Sequence, residues 1–213
     1  MKSRDYEAIE QQRYEGFWKS LRGGFSSNKT HYSSAQPDPV VLEFMHYLET
    51  RHYDKKSTRV VDLGCGNGRH VIEFAKRGYV ATGIDFAEPA LAIARAWAAQ
   101  EHLNLNAKFL RGSVLGNPLK QESADIAIDT GCFHHLRKNQ WSAYLSELKR
   151  ILAPHGLYLL MCFSIASGDV PKFTPRGKRQ WRLRHGHFSR YATLRELTEF
   201  FSPDFSVIRA SEI

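Results

Sequence analysis

The chain has 213 residues and a formal net charge of +8, enough length for one domain with a sizeable core and too little for a comfortable second substrate domain. It contains no run of about eighteen apolar residues, so no membrane-spanning helix is expected, and Met1 to Glu7 lacks the apolar core of a signal peptide. Cys65, Cys132 and Cys162 have no metal-ligand spacing and cannot all pair. The expectation is a cytoplasmic protein in a reducing setting, with no metal and no membrane partner.

Residues 1–36 read as an N-terminal helical segment carrying Tyr6, Tyr14, Phe17, Trp18, Phe25 and Tyr32, with a loop composition from Arg22 to Asn28. Its aromatics suit a peripheral helix anchored to the core. The main domain is expected over 37–213. Pro37-Asp38-Pro39 opens a helix, with Asp38 as N-cap and Pro39 as first residue; Val40, Val41, Phe44, Met45 and Leu48 give it an apolar face.

Thr58, Val60, Val61 and Leu63 then form a buried strand pattern. Gly64, Gly66 and Gly68 follow at alternate positions, and Val71, Ile72, Phe74 and Ala75 start a helix. A strand that turns through glycines into a helix brings free backbone N–H groups close to a ligand, and a Cβ would obstruct both the turn and the approach. The dinucleotide fingerprint G-x-G-x-x-G fails because its third glycine is Arg69. A phosphate-binding G-x-x-x-x-G-K-[ST] loop fails too, for want of Lys-Ser or Lys-Thr. What remains is an acid-x-G-x-G-x-G loop led by Asp62. A second strand, Tyr79 to Ile84, ends at Asp85, about twenty residues beyond the first glycine, where a ribose-binding carboxylate belongs. The ligand expected is an adenosine derivative without a pyrophosphate.

Glu88-Pro89 starts the next helix, continued by Leu91, Ile93, Ala94 and Trp97. Strand three is expected over Ala107 to Leu110 and strand four over Asp125 to Ile128. A helix from Asn139 to Leu152 carries Trp141, Leu145, Leu148 and Ile151, stopped by Pro154; strand five runs from Gly156 to Phe163. This alternation predicts an α/β fold with a doubly wound, mostly parallel sheet. Asp129, at the carboxyl end of a central strand, would point into the ligand crevice. A zinc role for Cys132, His134 and His135 lacks a second ligand pair. Between Val170 and Arg195 lie Lys172, Arg176, Lys178, Arg179, Arg182, Arg184, Arg190 and Arg195 and no acid. The remaining chain is neutral by the same count, so this basic insertion, at about 164–190, implies a localised partner. Thr193 to Glu196 has the capping-box form, with Leu197 and Phe200 behind it, and Phe205 to Ala210 is the last strand candidate.

Val61-Asp62-Leu63-Gly64-Cys65-Gly66-Asn67-Gly68, Gly83-Ile84-Asp85-Phe86-Ala87, Ala124 to Asp129, and Leu152 to Leu157 together resemble the class I S-adenosylmethionine-dependent methyltransferases, in order and at the usual spacing across residues 38–163. The resemblance implies S-adenosyl-L-methionine as cofactor and a Rossmann-like methyltransferase fold. It implies that Gly64, Cys65, Gly66, Asn67 and Gly68 line the methionine part and ribose, and that Asp85 accepts both ribose hydroxyls. Asp62 would orient the loop or reach the amino group through water, and Phe86 would flank the adenine. Gly112, Ser113 and Val114 would border the adenine amino group, where the family usually has an acid in place of Ser113. Asp129 is implied as a contact of the ammonium group or the acceptor. In relatives with a similar Phe-His-His-Leu string this loop lies beneath the transferred methyl, which makes His134 and His135 candidate general bases. N-terminal segments in the family often fold over cofactor and acceptor.

The family usually ends with two antiparallel-paired strands, and only one fits here. The sheet edge is therefore expected to be shortened, covered by another segment, or completed by a second copy, which leaves a monomer or weak homodimer. Three purposes are open to the basic insertion. It could clamp a small anionic acceptor, bind RNA through Lys172–Arg195 with Phe173, Trp181 and Phe188 as stacking surfaces, or form a solvated lid. The function expected is methyl transfer to N, O or S of a small acceptor; the rivals are an RNA methyltransferase and a non-catalytic cofactor-binding subunit.

Overall fold

The computed structural model of the chain describes residues 3–21, 33–166, 181–184 and 187–212. Arg22–Asn28 and, in the basic insertion, Lys172, Phe173, Arg176, Lys178 and Arg179 lie outside the described residues, as do the side chains of Trp181, Arg182 and Arg184. Five strands, β1 (Arg59–Leu63), β2 (Val80–Asp85), β3 (Ala107–Arg111), β4 (Ala124–Thr130) and β5 (Leu152–Met161), form one sheet in the order β3-β2-β1-β4-β5, every pair parallel. The central rows are apolar, and Val60, Val61, Leu63, Ile126, Ala127 and Ile128 are all buried, as strands covered on both faces require.

Helices α1 (Ser3–Ser20), α2 (Pro39–Thr50), α3 (Arg69–Lys76), α4 (Glu88–Gln100), α5 (Trp141–Ile151) and α6 (Leu194–Phe201) complete the layers. One core joins Val41 and Met45 of α2, Ile72 and Phe74 of α3 and Leu91 of α4; the other joins Tyr144 and Leu148 of α5 with Phe201 of α6. Strand order reverses between β1 and β4, which opens a crevice at their carboxyl ends.

Three local expectations are corrected and one element is added. First, β5 begins at Leu152, directly after α5; the Pro154 turn lies inside it, and its register against β4 jumps between Leu152 and Leu157. Second, Phe205 to Ala210 is not a strand. Val207 and Ile208 are 49% and 65% exposed, while the segment just past β5 pairs with Ala192 instead: Ala192 N donates to the Phe163 carbonyl and Ile165 N to the Ala192 carbonyl. Third, the basic insertion contains an antiparallel hairpin, β6 (Trp181–Arg184) with β7 (His187–Arg190), separate from the main sheet. Alternation on either side of His185-Gly186 was the signal for it. Fourth, Asp38 occupies the N-cap position of α2 without bonding its amides. Its carboxylate is drawn to Arg69 Nη2 at 2.5 Å and His70 Nε2 at 3.2 Å, because a buried guanidinium is a stronger partner than a helix amide.

Candidate functional site

Gly64, Gly66 and Gly68 all hold left-handed φ, at 78°, 54° and 79°. A Cβ on Gly64 would stand 2.5 Å from Cys132 Cβ, and one on Gly68 would stand 2.6 Å from Phe109 Cε1, so the protein's own packing demands glycine here. The loop is tied to β2. Gly64 N and Cys65 N donate to the Ile84 carbonyl at 2.8 and 3.0 Å, Gly66 N donates to Asp85 Oδ2 at 2.8 Å, and Ala87 N donates to Asp85 Oδ1 at 2.8 Å. Asp85, rather than Asp62, therefore bonds the loop. Burial pushes the Asp85 carboxyl up to about 6, against the pull of those amides. Cys65 is buried and its thiol is pushed well up by burial, which makes it a packing residue rather than a nucleophile.

Asp62 is buried on β1, and its Oδ2 has no hydrogen-bond partner. The nearest cation-forming group is His70 Nδ1, at 3.5 Å. His70 also reaches Thr130 Oγ1 at 3.1 Å through Nδ1 and Asp38 through Nε2. Despite burial, which opposes it, the flanking carboxylates of Asp38 and Asp62 raise the His70 pKa above the ordinary histidine value. Sequence reasoning missed His70 because nothing in its spacing marks a partner 32 residues away, such as Asp38. Asn67 turns from the crevice as well: its Nδ2 donates to the Ser33 and Ser34 carbonyls at 3.1 and 3.0 Å. Its side chain ties the loop to the segment before α2.

Asp129 does not face the crevice. It is fully buried; its Oδ1 accepts from Gly131 N, Cys132 N and Phe133 N at 3.2, 2.8 and 3.1 Å, and its Oδ2 accepts from Tyr144 Oη at 2.7 Å. Tyr144 Oη in turn lies 2.8 Å from Tyr158 Oη. The expected contact with ammonium group or acceptor is corrected: three unpaired amides of the turn after β4 claim one oxygen and a buried phenol the other. Burial pushes the Asp129 carboxyl up to about 6.

That turn, Phe133–His135, separates the two histidines. His134 is buried, stacked on Phe163 with ring centroids 3.9 Å apart, and burial pushes its pKa well below the ordinary value. His135 is half-buried. Its Nδ1 lies 2.5 Å from the Phe188 carbonyl of β7, with Ser189 Oγ farther off at 3.4 Å.

α1 lies across the same crevice. Trp18 packs so closely that a Cβ on Gly66 would be 2.9 Å from its Cζ2. Tyr14 meets Phe86 at 5.8 Å and His135 at 5.5 Å, edge-on to both. At the end of β3, Gly112 N donates to the Asp85 carbonyl at 3.0 Å, Ser113 Oγ accepts from Leu115 N at 3.0 Å, and Val114 is buried.

A buried carboxylate oxygen without a partner is the complement of an ammonium group. Asp85 suits a pair of hydroxyls, and half-buried Phe86 suits a flat base. The donor set thus fits S-adenosyl-L-methionine, and fold and loop define a nucleoside-binding domain of the doubly wound class. Residues 60–156, a little under half of the chain, match the family described as a methyltransferase domain, which supports a class I S-adenosylmethionine-dependent methyltransferase. It is 27% identical over 136 residues to a 2-heptyl-1-hydroxyquinolin-4(1H)-one methyltransferase of Mycobacteroides abscessus, covering 64% of this chain and 57% of that one. It is 24% identical over 188 residues to the tRNA N(3)-methylcytidine methyltransferase trm140 of Schizosaccharomyces pombe, covering 80% of this chain and 58% of that one. The chain thus spans less than two thirds of the length of either relative. The crystal structure of Burkholderia thailandensis 1,6-didemethyltoxoflavin-N1-methyltransferase, with 1,6-didemethyltoxoflavin and S-adenosylhomocysteine bound, shares the fold with a TM-score of 0.72 at 21% identity, over 95% of this chain and 79% of that one.

Proposed function

We propose that this protein transfers a methyl group from S-adenosyl-L-methionine to N, O or S of a small acceptor by in-line displacement, with His135 as general base. The observation that carries this reading is the contact between His135 Nδ1 and the Phe188 carbonyl. A carbonyl only accepts, so Nδ1 bears the proton and Nε2 keeps the lone pair. His134, stacked and desolvated, is the poorer base.

The cofactor supplies a methyl already activated on a sulfonium. The protein's task is alignment, which contributes up to roughly 7–11 kcal/mol in ideal cases. In this reading Asp62 accepts from the ammonium group, Asp85 takes the ribose hydroxyls, Phe86 flanks the adenine, and Gly64 to Gly68 with Gly112 to Val114 wall the nucleoside. α1 forms the lid through Trp18 and Tyr14. When bound, the cofactor would supply the methyl group to the acceptor's lone pair and keep the C–S electrons on its sulfur, while His135 Nε2 would take the acceptor's proton.

A small acceptor is supported by the substrates named for the quinolone and toxoflavin enzymes. The basic stretch would favour an anionic one. Arg190 and Arg195 are paired with Glu196 and Glu199, so any such charge comes from 172–184. RNA is the second reading, favoured by the match to the tRNA enzyme over 80% of the chain. Three free cysteines suit the cytoplasm, and β5 as an edge strand of the sheet suits a monomer or weak homodimer. The deciding experiment incubates the protein with methyl-labelled cofactor and a cell extract split into RNA, protein and small-molecule fractions. Label in the small-molecule fraction supports the first reading. Label in RNA, with salt-steep retention on RNA lost when Arg179, Arg182 and Arg184 become Ala, transfers the assignment to the second.

A further inference from the structure

The cluster beneath the glycine loop is not used by the proposed transfer step. Resting on the placement of the cofactor's ammonium group at Asp62, we propose that His70 is a positioning residue for the cofactor: it holds the Asp62 carboxylate in place beforehand and releases its proton to solvent as the ammonium group arrives.

The groups that face His70 come from four elements. Asp38 precedes α2, Arg69 lies on α3, Asp62 on β1 and the uncharged Thr130 on β4. The charge of Asp62 also reaches Asp85 of β2 and Asp129 of β4, raising both carboxyls. Asp38 and Asp62 both favour a charged imidazole, but Arg69 Nη2 sits 2.5 Å from Asp38 Oδ2 and shares that carboxylate. Asp62 is the acid that His70 shares with no other cation, since its Oδ2 has no hydrogen-bond partner. The raised pKa of His70 agrees with this pairing.

A second cation at Asp62 changes the balance. Two positive charges would share one carboxylate where burial exposes neither to water, and a buried charge with only half a partner is costly. The imidazole can shed its charge; the ammonium group, already paired and of higher intrinsic pKa, does not. Loss of the proton leaves Nδ1 or Nε2 able to accept, and the Asp38 amide lies 3.2 Å from Nε2, ready to donate. The neutral ring therefore keeps a partner, and the swap leaves the local net charge unchanged.

The test reads His70 itself, because Asp85 also titrates when the ribose binds. The full chain is labelled with 15N-histidine, the His70 ring signal is identified by its loss in His70→Gln, and the signal is titrated alone, with S-adenosyl-L-homocysteine, and with 5′-methylthioadenosine, which lacks the ammonium group. The expected result is a His70 midpoint lowered by about one pH unit, tenfold in proton affinity, with S-adenosyl-L-homocysteine, and unmoved with the methylthioadenosine. An unmoved midpoint with both, or equal shifts with both, overturns the proposal. If His70→Gln fails to fold, the ring signal is assigned through its contact with Thr130, and the wild-type titration still decides. Asp62→Asn separates the two readings. Unchanged affinity for S-adenosyl-L-homocysteine would remove the Asp62 placement and this proposal with it; weakened affinity with an unmoved His70 midpoint would remove this proposal alone.

Discussion

His135 Nδ1 lies 2.5 Å from the carbonyl oxygen of Phe188, so a hairpin outside the main sheet fixes the tautomer of a ring at the end of β4. Two adjacent histidines that look equivalent in sequence are thereby given different chemistry.

Replacing His135 with Gln should lower kcat by about 10²–10⁴-fold, the usual contribution of a general base, while cofactor affinity changes little. The acidic limb of the pH–rate profile should vanish with it. Replacing His134 with Gln should keep that limb and lower Tm, because the lost group is a stacking partner of Phe163. Pre-steady-state rates across pH for both variants check this; an unchanged profile in His135→Gln would remove the base assignment.

Asp85→Ala should weaken cofactor binding by about 1.5–3 kcal/mol, the range for charged hydrogen bonds. Wild-type affinity should rise with pH through about 6, where the carboxyl ionises in the free protein, since only the carboxylate accepts from both ribose hydroxyls. In Asp85→Asn that rise should be smaller. Calorimetry from pH 5 to 8 measures both, and an unchanged dissociation constant in Asp85→Ala would count against the ribose contact.

Gly64→Ala should destabilise the fold by about 2–4 kcal/mol, combining the cost of a left-handed backbone with overpacking, because its methyl would meet Cys132 Cβ at 2.5 Å. A urea midpoint shifted at constant m-value is the expected signature. Gly16→Ala, with nothing within 4 Å of its Cβ, serves as the control and should be neutral or slightly stabilising.

The pH dependence of stability should carry the mark of Asp129. Its folded value of about 6 lies above the ordinary aspartate value of 3.8, so the native state binds the proton more tightly than the unfolded chain. Stability from this group is present below pH 4 and declines as pH rises through about 6. Asp129→Asn can keep the three amide bonds and lacks the titration. Relative to wild type its stability should therefore rise between about pH 4 and 6 and run level outside that window. Parallel curves in urea melts at each pH would refute the burial argument.

Much of the architecture was legible in the chain because local physics and tertiary packing agree there. The apolar runs around Val60, Ile84 and Ile128 can be satisfied only by burial on two faces, and the glycines at 64, 66 and 68 admit few conformations besides a tight strand-to-helix turn. That loop and Asp85 point to an adenosine derivative without a pyrophosphate, and the resemblance they carry implies S-adenosyl-L-methionine. Where the reading failed, an alternative partner outcompeted the local one. Asp38 left its helix amides for Arg69, and Ala192, not the Phe205–Ala210 run, bonds the segment from Phe163 to Ile165 just past β5.

The order of residues thus determined the sheet, its crevice and the nucleoside that suits it, since hydrophobic period and glycine placement act over a few neighbours. Only the tertiary structure decided which carboxylates keep an unmade hydrogen bond. Asp129 and Asp62 stand alike at the ends of adjacent strands, yet three backbone amides and a phenol close over the first and leave an oxygen of the second bare. Those partners lie on different elements, and the energy of a buried charge is set by what folding brings beside it.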